Sequence, residues 1–207
     1  MKFSIKKEKS SYHHGDLAES LLNAVDEIAS QFGLEAVTLR ACAKLVGVSP
    51  SSAFRHYTDK RALLTAFATR ALHQLSATMT TAKSHAQDHG NNTFSAVGLA
   101  YIEFALDKPA FFRAMWREET IYSNDPDYIA ASRQLGRHLQ GGFAKTIADK
   151  DPDSFSPQEI LAWSSVHGLA NLFVEGALGK GLDKEKKLQL ARDMIQTLGP
   201  ALSKLPV

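Results

Sequence analysis

Apolar residues recur at steps of three and four along most of the chain, the spacing of one helix face. Over residues 16–32 the stripe is Leu17, Leu21, Val25, Ile28, Ala29 and Phe32. Asp16 is a suitable N-cap and Gly33 a suitable C-cap for it. Thr38 is placed to cap a second helix with Leu39, Cys42, Ala43 and Val46 facing inward, closed by Gly47. Ser49 and Pro50 then open a third helix reaching about Tyr57, and Asp59 caps a fourth. That fourth helix is long, from Lys60 toward Gln87, with Leu63, Leu64, Phe67, Ala71, Leu75 and Met79 as its apolar line. After a break at Gly90-Asn91-Asn92 the pattern predicts helices over 93–107, 110–118 and 128–148. DKDPDSFSP (149–157) is a linker dense in turn formers. Ser156 and Pro157 launch a helix to about Leu178. The last carries Leu188, Ala191, Ile195, Leu198 and Leu202. Strand-like alternation and repeats are absent from the pattern, so the expected fold is all-α with about nine helices.

Charge changes this picture locally rather than globally. The 24 Lys and Arg against 22 Asp and Glu leave a net charge of only +2. Between Ala36 and Arg61, however, Arg40, Lys44, Arg55, Lys60 and Arg61 face a single anion, Asp59. Residues 1–12 add Lys2, Lys6, Lys7 and Lys9 against Glu8, without periodicity, and read as a flexible basic arm. A local excess of this kind is the electrostatic footprint of a polyanion binder. Apolar residues make up 44% of the chain, ordinary for a globular protein. No apolar run reaches the roughly 18–20 residues of a membrane span. The N-terminus lacks the apolar centre of a signal peptide. One cysteine, Cys42, excludes an intrachain disulfide and suits a reducing compartment. A soluble, cytoplasmic protein is expected.

The stretch 38–60, TLRACAKLVGVSPSSAFRHYTDK, joins two short helices by a turn at Gly47-Val48-Ser49. This is a helix-turn-helix pattern, whose second helix must stand out far enough to enter a major groove roughly 12 Å wide. Ser51, Ser52 and Ala53 are small enough for close approach to base edges and phosphates. Arg55 suits phosphate or, bidentately, guanine. Thr38, Arg40, Ser49, Pro50, His56, Tyr57 and Lys60 complete the candidate DNA contacts, with hydroxyls and helix N-termini placed for phosphate oxygens. Tyr57 and Phe54 are also expected to pack a small three-helix core. The competing reading is an ordinary helical hairpin with a solvated face.

YHHGDL (12–17) followed by FGLEAVTLRACAKLVGVSPSSAFRHYTDKRALL (32–64) resembles the N-terminal domain of the TetR family of transcriptional regulators. The resemblance rests on Gly33, Thr38, Arg40, Ala43, Gly47-Val48-Ser49, His56-Tyr57, Lys60 and Leu63-Leu64. It departs at Phe54, usually a tyrosine, and at Ala53, usually larger. AWSSVHGLANLFVEG (162–176) is similar to the Trp-x-x-x-His-Gly signature of one C-terminal subgroup. The resemblance implies residues 13–60 as a DNA-binding domain and 61–207 as an effector-binding and dimerisation domain. It further implies a homodimer on a palindromic operator, repression, and release by a small molecule.

Three further features carry expectations. The helix over 158–178 is apolar nearly all round, which predicts burial on all sides. A partner subunit would cover one side, with the helix over 184–203 as its companion; a monomer's central core helix is the alternative. The middle of the chain is rich in rings, and Phe104, Phe112, Met115, Trp116, Phe143, Trp163, His167 and Asn171 are the candidate ligand residues, with Arg113 and Glu103 as further polar contacts. A plain packed core is the alternative. His85, Asp88 and His89 have a spacing that suits a metal on one helix face but lack an identified fourth ligand. Cys42 reads as a core residue. Ser51 and Ser52 near His56 lack the orienting third group of a nucleophilic site, so neither catalysis nor a cofactor is expected. An all-α carrier or enzyme, and an architectural DNA binder without an effector, are the rival classes.

Overall fold

The computed structural model describes residues 17–140 and 154–202, and these form α-helices joined by turns, with no strand. In chain order they are α1 (Leu17–Phe32), α2 (Leu39–Val46), α3 (Pro50–His56), α4 (Lys60–Asp88), α5 (Thr93–Asp107), α6 (Pro109–Met115), α7 (Pro126–Gln140), α8 (Pro157–Val174) and α9 (Lys184–Leu202). Single 310 turns at Leu34–Ala36 and Glu118–Thr120 precede α2 and follow α6. The all-α class is as the periodicity indicates. Asp16, Phe143 and the stretch 141–148 of the expected helix lie outside the described residues.

Local chemistry sets most boundaries. Thr38, Ser49, Asp59 and Asn92 cap α2, α3, α4 and α5 by accepting a backbone N–H three residues on. α8 opens with a reciprocal capping box: Ser156 Oγ accepts from Glu159 N at 3.3 Å, and the Glu159 carboxylate accepts from Ser156 N at 2.7 Å. α8 ends at Val174 rather than near Leu178, and α7 starts at Pro126, ahead of the expected Tyr128.

α1, α2 and α3 pack with the first turns of α4 around Leu21, Val25, Leu34, Val37, Cys42, Ala53 and Leu63. α4 has 29 residues, so at about 1.5 Å per residue it runs about 43 Å. Beyond Leu64 it carries Phe67, Ala71, Leu75 and Met79 into a second bundle with α5, α6 and α7. α5 is in turn backed by α8 and α9. Gly98 on α5 makes that crossing close: a Cβ there would sit 3.2 Å from Ile195 Cδ1 and 3.5 Å from Val166 Cγ2.

Two expectations of burial are corrected. Phe32, assigned to the apolar stripe of α1, is 49% exposed at the helix end. Phe54, assigned to the three-helix core, is 44% exposed, while Ala53 is wholly buried there. Ala53 is therefore a packing residue, not one that approaches base edges. α8 is not buried on all sides within the single chain, since Ile160, Leu161 and Leu172 are exposed along it.

Candidate nucleic-acid interface and ligand site

The turn between α2 and α3 is fixed by Gly47, whose left-handed backbone (φ 84°, ψ 26°) suits a residue without Cβ. Gly47 N and Val48 N both donate to Ala43 O at 2.9 Å, which closes α2. Ser49 Oγ accepts from Ser52 N at 3.2 Å and lies 2.9 Å and 2.8 Å from the hydroxyls of Ser51 and Ser52. Thr38 Oγ1 accepts from Ala41 N at 3.0 Å. The two helices are thus held by their own caps, leaving the outer side of α3 to solvent.

Thr38, Arg40, Ser49, Pro50, Ser51, Arg55 and His56 are all exposed, and Ser52 is half-buried. Among the described residues Arg40, Arg55 and His56 make no ion pair. Tyr57 and Lys60 differ. The Tyr57 hydroxyl points back to Ala18 O at 3.5 Å, and Lys60 Nζ donates to Glu35 O at 3.0 Å. Arg61, counted in the basic excess, also turns inward: Nε donates to Ile121 O at 2.6 Å and the guanidinium covers the Tyr122 ring at 4.8 Å. The outward cationic face consequently centres on Arg40 and Arg55, with the exposed His56 ring following Arg55 on α3. The Ser51 and Ser52 hydroxyls are engaged with Ser49, not with His56.

Sequence separation hid a second set of residues. The segment after α6 grips the first helices from behind. Arg117 pairs with the Glu35 carboxylate. The Tyr122 hydroxyl donates to Asp59 Oδ2 at 2.7 Å, and Tyr122 N donates to Thr65 Oγ1 at 2.9 Å. The Ala62 N–H and the Tyr122 hydroxyl hold the Asp59 carboxyl below its usual range. The Glu35 carboxyl is lowered likewise, by its own backbone N–H and then by Arg117.

The candidate ligand residues divide. Phe112, Trp116, Trp163 and His167 meet between α5, α6 and α8. The His167 ring lies 5.0 Å from that of Trp116, 5.5 Å from Phe112 and 6.3 Å from Trp163. Tyr101, which sequence reasoning passed over, joins them through a 2.8 Å contact between its hydroxyl and His167 Nδ1. Met115 is buried beside them on α6. Phe104 belongs elsewhere, stacked 6.5 Å from Phe111, which meets Phe67 at 4.5 Å. Asn171 is exposed on α8. Arg113 is engaged by Glu175 and Val174 O, both at 2.9 Å, and Glu103 by Lys184 at 3.1 Å. A half-open recess of about 340 Å³ adjoins the ring group, lined by Met115, Trp116, Glu118, Ser123, Tyr128, Ile129, Ser132 and Arg133.

His85 and His89 stack with ring centroids 4.2 Å apart. Among the described residues no third His, Cys, Asp or Glu joins them to hold an ion. Cys42 is buried, and burial pushes its thiol up to about 11, so it is an inert packing group at neutral pH. No helix among the described residues is long and apolar enough to cross a membrane.

Known proteins resemble both halves. A family model of bacterial regulatory proteins of the tetR family matches residues 21–67, and one of the tetracyclin repressor-like C-terminal domain matches residues 94–198. An uncharacterized HTH-type transcriptional regulator, YobS of Bacillus subtilis (strain 168), is 31% identical over 94 residues. That alignment covers 45% of this chain and 48% of the relative, so the chain spans about half the length of the curated relative it matches. A solved protein of unknown function from Rhodococcus sp. RHA1 superposes with a TM-score of 0.73 at 25% identity, over 95% of this chain and all of that one. A bacterial regulatory protein in the tetR family from Rhodococcus RHA1 gives 0.62 at 19% identity, over 93% and 100%. A TetR family transcription regulator from Marinobacter aquaeolei VT8 gives 0.59 at 20%, over 87% and 94%. The last two likenesses establish the shared fold. With more than half of its length matched by the C-terminal model and its helix-turn-helix by the N-terminal one, the chain belongs to the TetR family of bacterial regulatory proteins.

Proposed function

We propose that this chain is a DNA-binding transcriptional repressor that acts as a homodimer on a palindromic operator and is released by a small molecule. The observation that carries the reading is the face of α3, capped at both ends of its turn and presenting Arg55, His56 and Ser51 outward beside Arg40 and Thr38. Phosphate contacts from such a face position a protein on DNA, and side chains reaching base edges select the sequence. Arg55 is the residue assigned to base reading, and Thr38, Arg40, Ser49 and His56 to phosphates. Residues 13–60 would act as the reader and 61–207 as the effector and dimer domain, with α4 common to both. The exposed side of α8, together with α9, supports the dimer, which would set two copies of α3 about one DNA turn, ~34–36 Å, apart. The protein would work in the cytoplasm and without catalysis of its own.

Fluorescence anisotropy with duplexes from the region beside its own gene, against random duplexes, tests the reading. Specific binding that falls steeply with added salt is expected, because neutralised phosphates release counterions. Equal affinity for random and native duplexes at every salt concentration would sink it.

A further inference from the structure

Within the ring group, hydrogen-bond donors outnumber acceptors. The indole nitrogens of Trp116 and Trp163 are both buried and have no hydrogen-bond partner among the described residues. Both approach the Tyr101 oxygen without the alignment of a hydrogen bond, closely enough to oppose the effect of burial on that hydroxyl. Burial nevertheless dominates and holds Tyr101 protonated, its ionisation pushed well above the ordinary range. His167 is lowered by burial alone, so its imidazole is neutral at pH 7. The Tyr101 hydroxyl lies 2.8 Å from His167 Nδ1, so the two groups satisfy one another, with the direction of the bond set by the imidazole tautomer. The polar ledger of the box is therefore two buried indole N–H groups without an aligned partner, and the Tyr101 oxygen is the one acceptor they approach.

Charge is missing from the same place. The ring neighbours of His167 are Tyr101, Phe112, Trp116 and Trp163, all uncharged. Arg113 is held outside by Glu175 and Val174 O. The recess beyond Trp116 has one residue of each sign, Glu118 and Arg133. An anionic group entering the box would lose its water without a counter-charge, which is costly. A neutral acceptor oxygen meets no such cost, and it satisfies donors that are otherwise stranded.

Size and shape narrow the class further. Trp116 and Trp163 face one another at 5.9 Å with planes 52° apart, and Trp116 meets His167 edge-on. Walls of this kind favour flat aromatic rings through offset and edge contacts. The adjoining recess of about 340 Å³ reaches the box through Trp116 alone; it is at the small end of ligand sites, enough for one or two rings.

We propose that the box formed by Tyr101, Phe112, Trp116, Trp163 and His167 binds an uncharged aromatic compound through a carbonyl-type acceptor oxygen, taken by the two indole N–H groups. This rests on the reading of the chain as a ligand-controlled regulator and names the chemical class of its effector.

Acetophenone, ethylbenzene and benzoate share one ring and differ in acceptor and charge, so they separate the terms. Titrated calorimetrically into the intact protein, acetophenone is expected to bind at least on the order of tenfold more tightly than either of the others. Trp116→Phe and Trp163→Phe keep an aromatic wall and delete one N–H each. Each is expected to weaken acetophenone more than ethylbenzene, so that the ratio of the two affinities falls toward one. Ethylbenzene binding as tightly as acetophenone would overturn the acceptor assignment, and so would tighter binding of benzoate or no binding by any probe. Should a variant fail to fold, the three-probe ranking on the native chain decides alone. Operator binding and its salt dependence need no probe. They keep the regulator reading standing if the box proposal falls, and they sink it if acetophenone binds and DNA does not.

Discussion

Phe54 holds an apolar ring out into solvent beside Arg55 and His56, where a tyrosine would offer a donor to phosphate. Phe54→Tyr is accordingly expected to tighten operator binding several-fold, in line with about 1 kcal/mol for one added hydrogen bond. Unchanged affinity would place the ring away from the DNA backbone. Arg55 and Lys60 separate in the same assay. Arg55 is exposed and unpaired among the described residues, whereas Lys60 Nζ is held by Glu35 O at 3.0 Å. Arg55→Ala is expected to cost ~1–3 kcal/mol of binding and to alter preference at particular operator positions. Lys60→Ala should leave the salt slope unchanged. A slope reduced by about one for Lys60→Ala would return it to the phosphate contacts.

Among the elements, those set by local chemistry were legible from the residues: Thr38, Ser49 and Asp59 each begin the helix they cap, and Gly47 ends α2 where a left-handed backbone is required. Phase in a short helix was not. With seven residues in α3, apolarity alone pointed Phe54 inward, yet the buried position is Ala53, where little room suits a methyl group. Long-range pairing was equally invisible: Trp163 and His167 share one face of α8 at four-residue spacing, but nothing in the sequence joins them to Tyr101. That link has a pH consequence. Burial lowers the folded-state pKa of His167, and of His138 with help from Lys83 and Arg137. The unfolded chain then binds protons first as pH falls below about 6.5. Stability is complete above that value and declines toward the lowered folded-state pKa. The melting temperature should fall between pH 7.5 and 5.5, and His167→Gln should flatten the fall while His138 keeps the rest. An unflattened curve would show that His167 is not the group titrating. α8 also carries Ile160, Leu161 and Leu172 outward at 51%, 45% and 42% exposure. A cluster of that kind favours a second copy of the chain as cover. Leu161→Asp is expected to turn a dimer into a monomer by light scattering, with the far-UV circular dichroism retained.

Across the whole molecule the ligand box and the DNA face are tied by a few consecutive residues. Trp116 belongs to the box, and the next residue, Arg117, pairs with Glu35 ahead of α2. Five residues further on, Tyr122 bonds to Asp59 at the cap of α4 and to Thr65 in its second turn. A ligand that repositions the Trp116 indole therefore acts on a segment that also fixes where α2 and α4 begin. The Arg117–Glu35 and Tyr122–Asp59 contacts are exposed, and pairs of that kind add little to stability, so their loss should spare the fold while altering communication. Coupling is measured as the factor by which ligand changes the affinity for DNA, and the same factor must appear when DNA changes the affinity for ligand. Arg117→Ala combined with Tyr122→Phe is expected to leave the melting temperature nearly unchanged and ligand binding intact, and to bring that factor toward one. The measurement is operator affinity with and without saturating ligand, in native and doubly substituted protein. A ratio as large in the variant as in the native chain would remove the strap from the route. The signal would then pass through the packed length of α4, where Phe67, Ala71 and Leu75 face the bundle that carries the box.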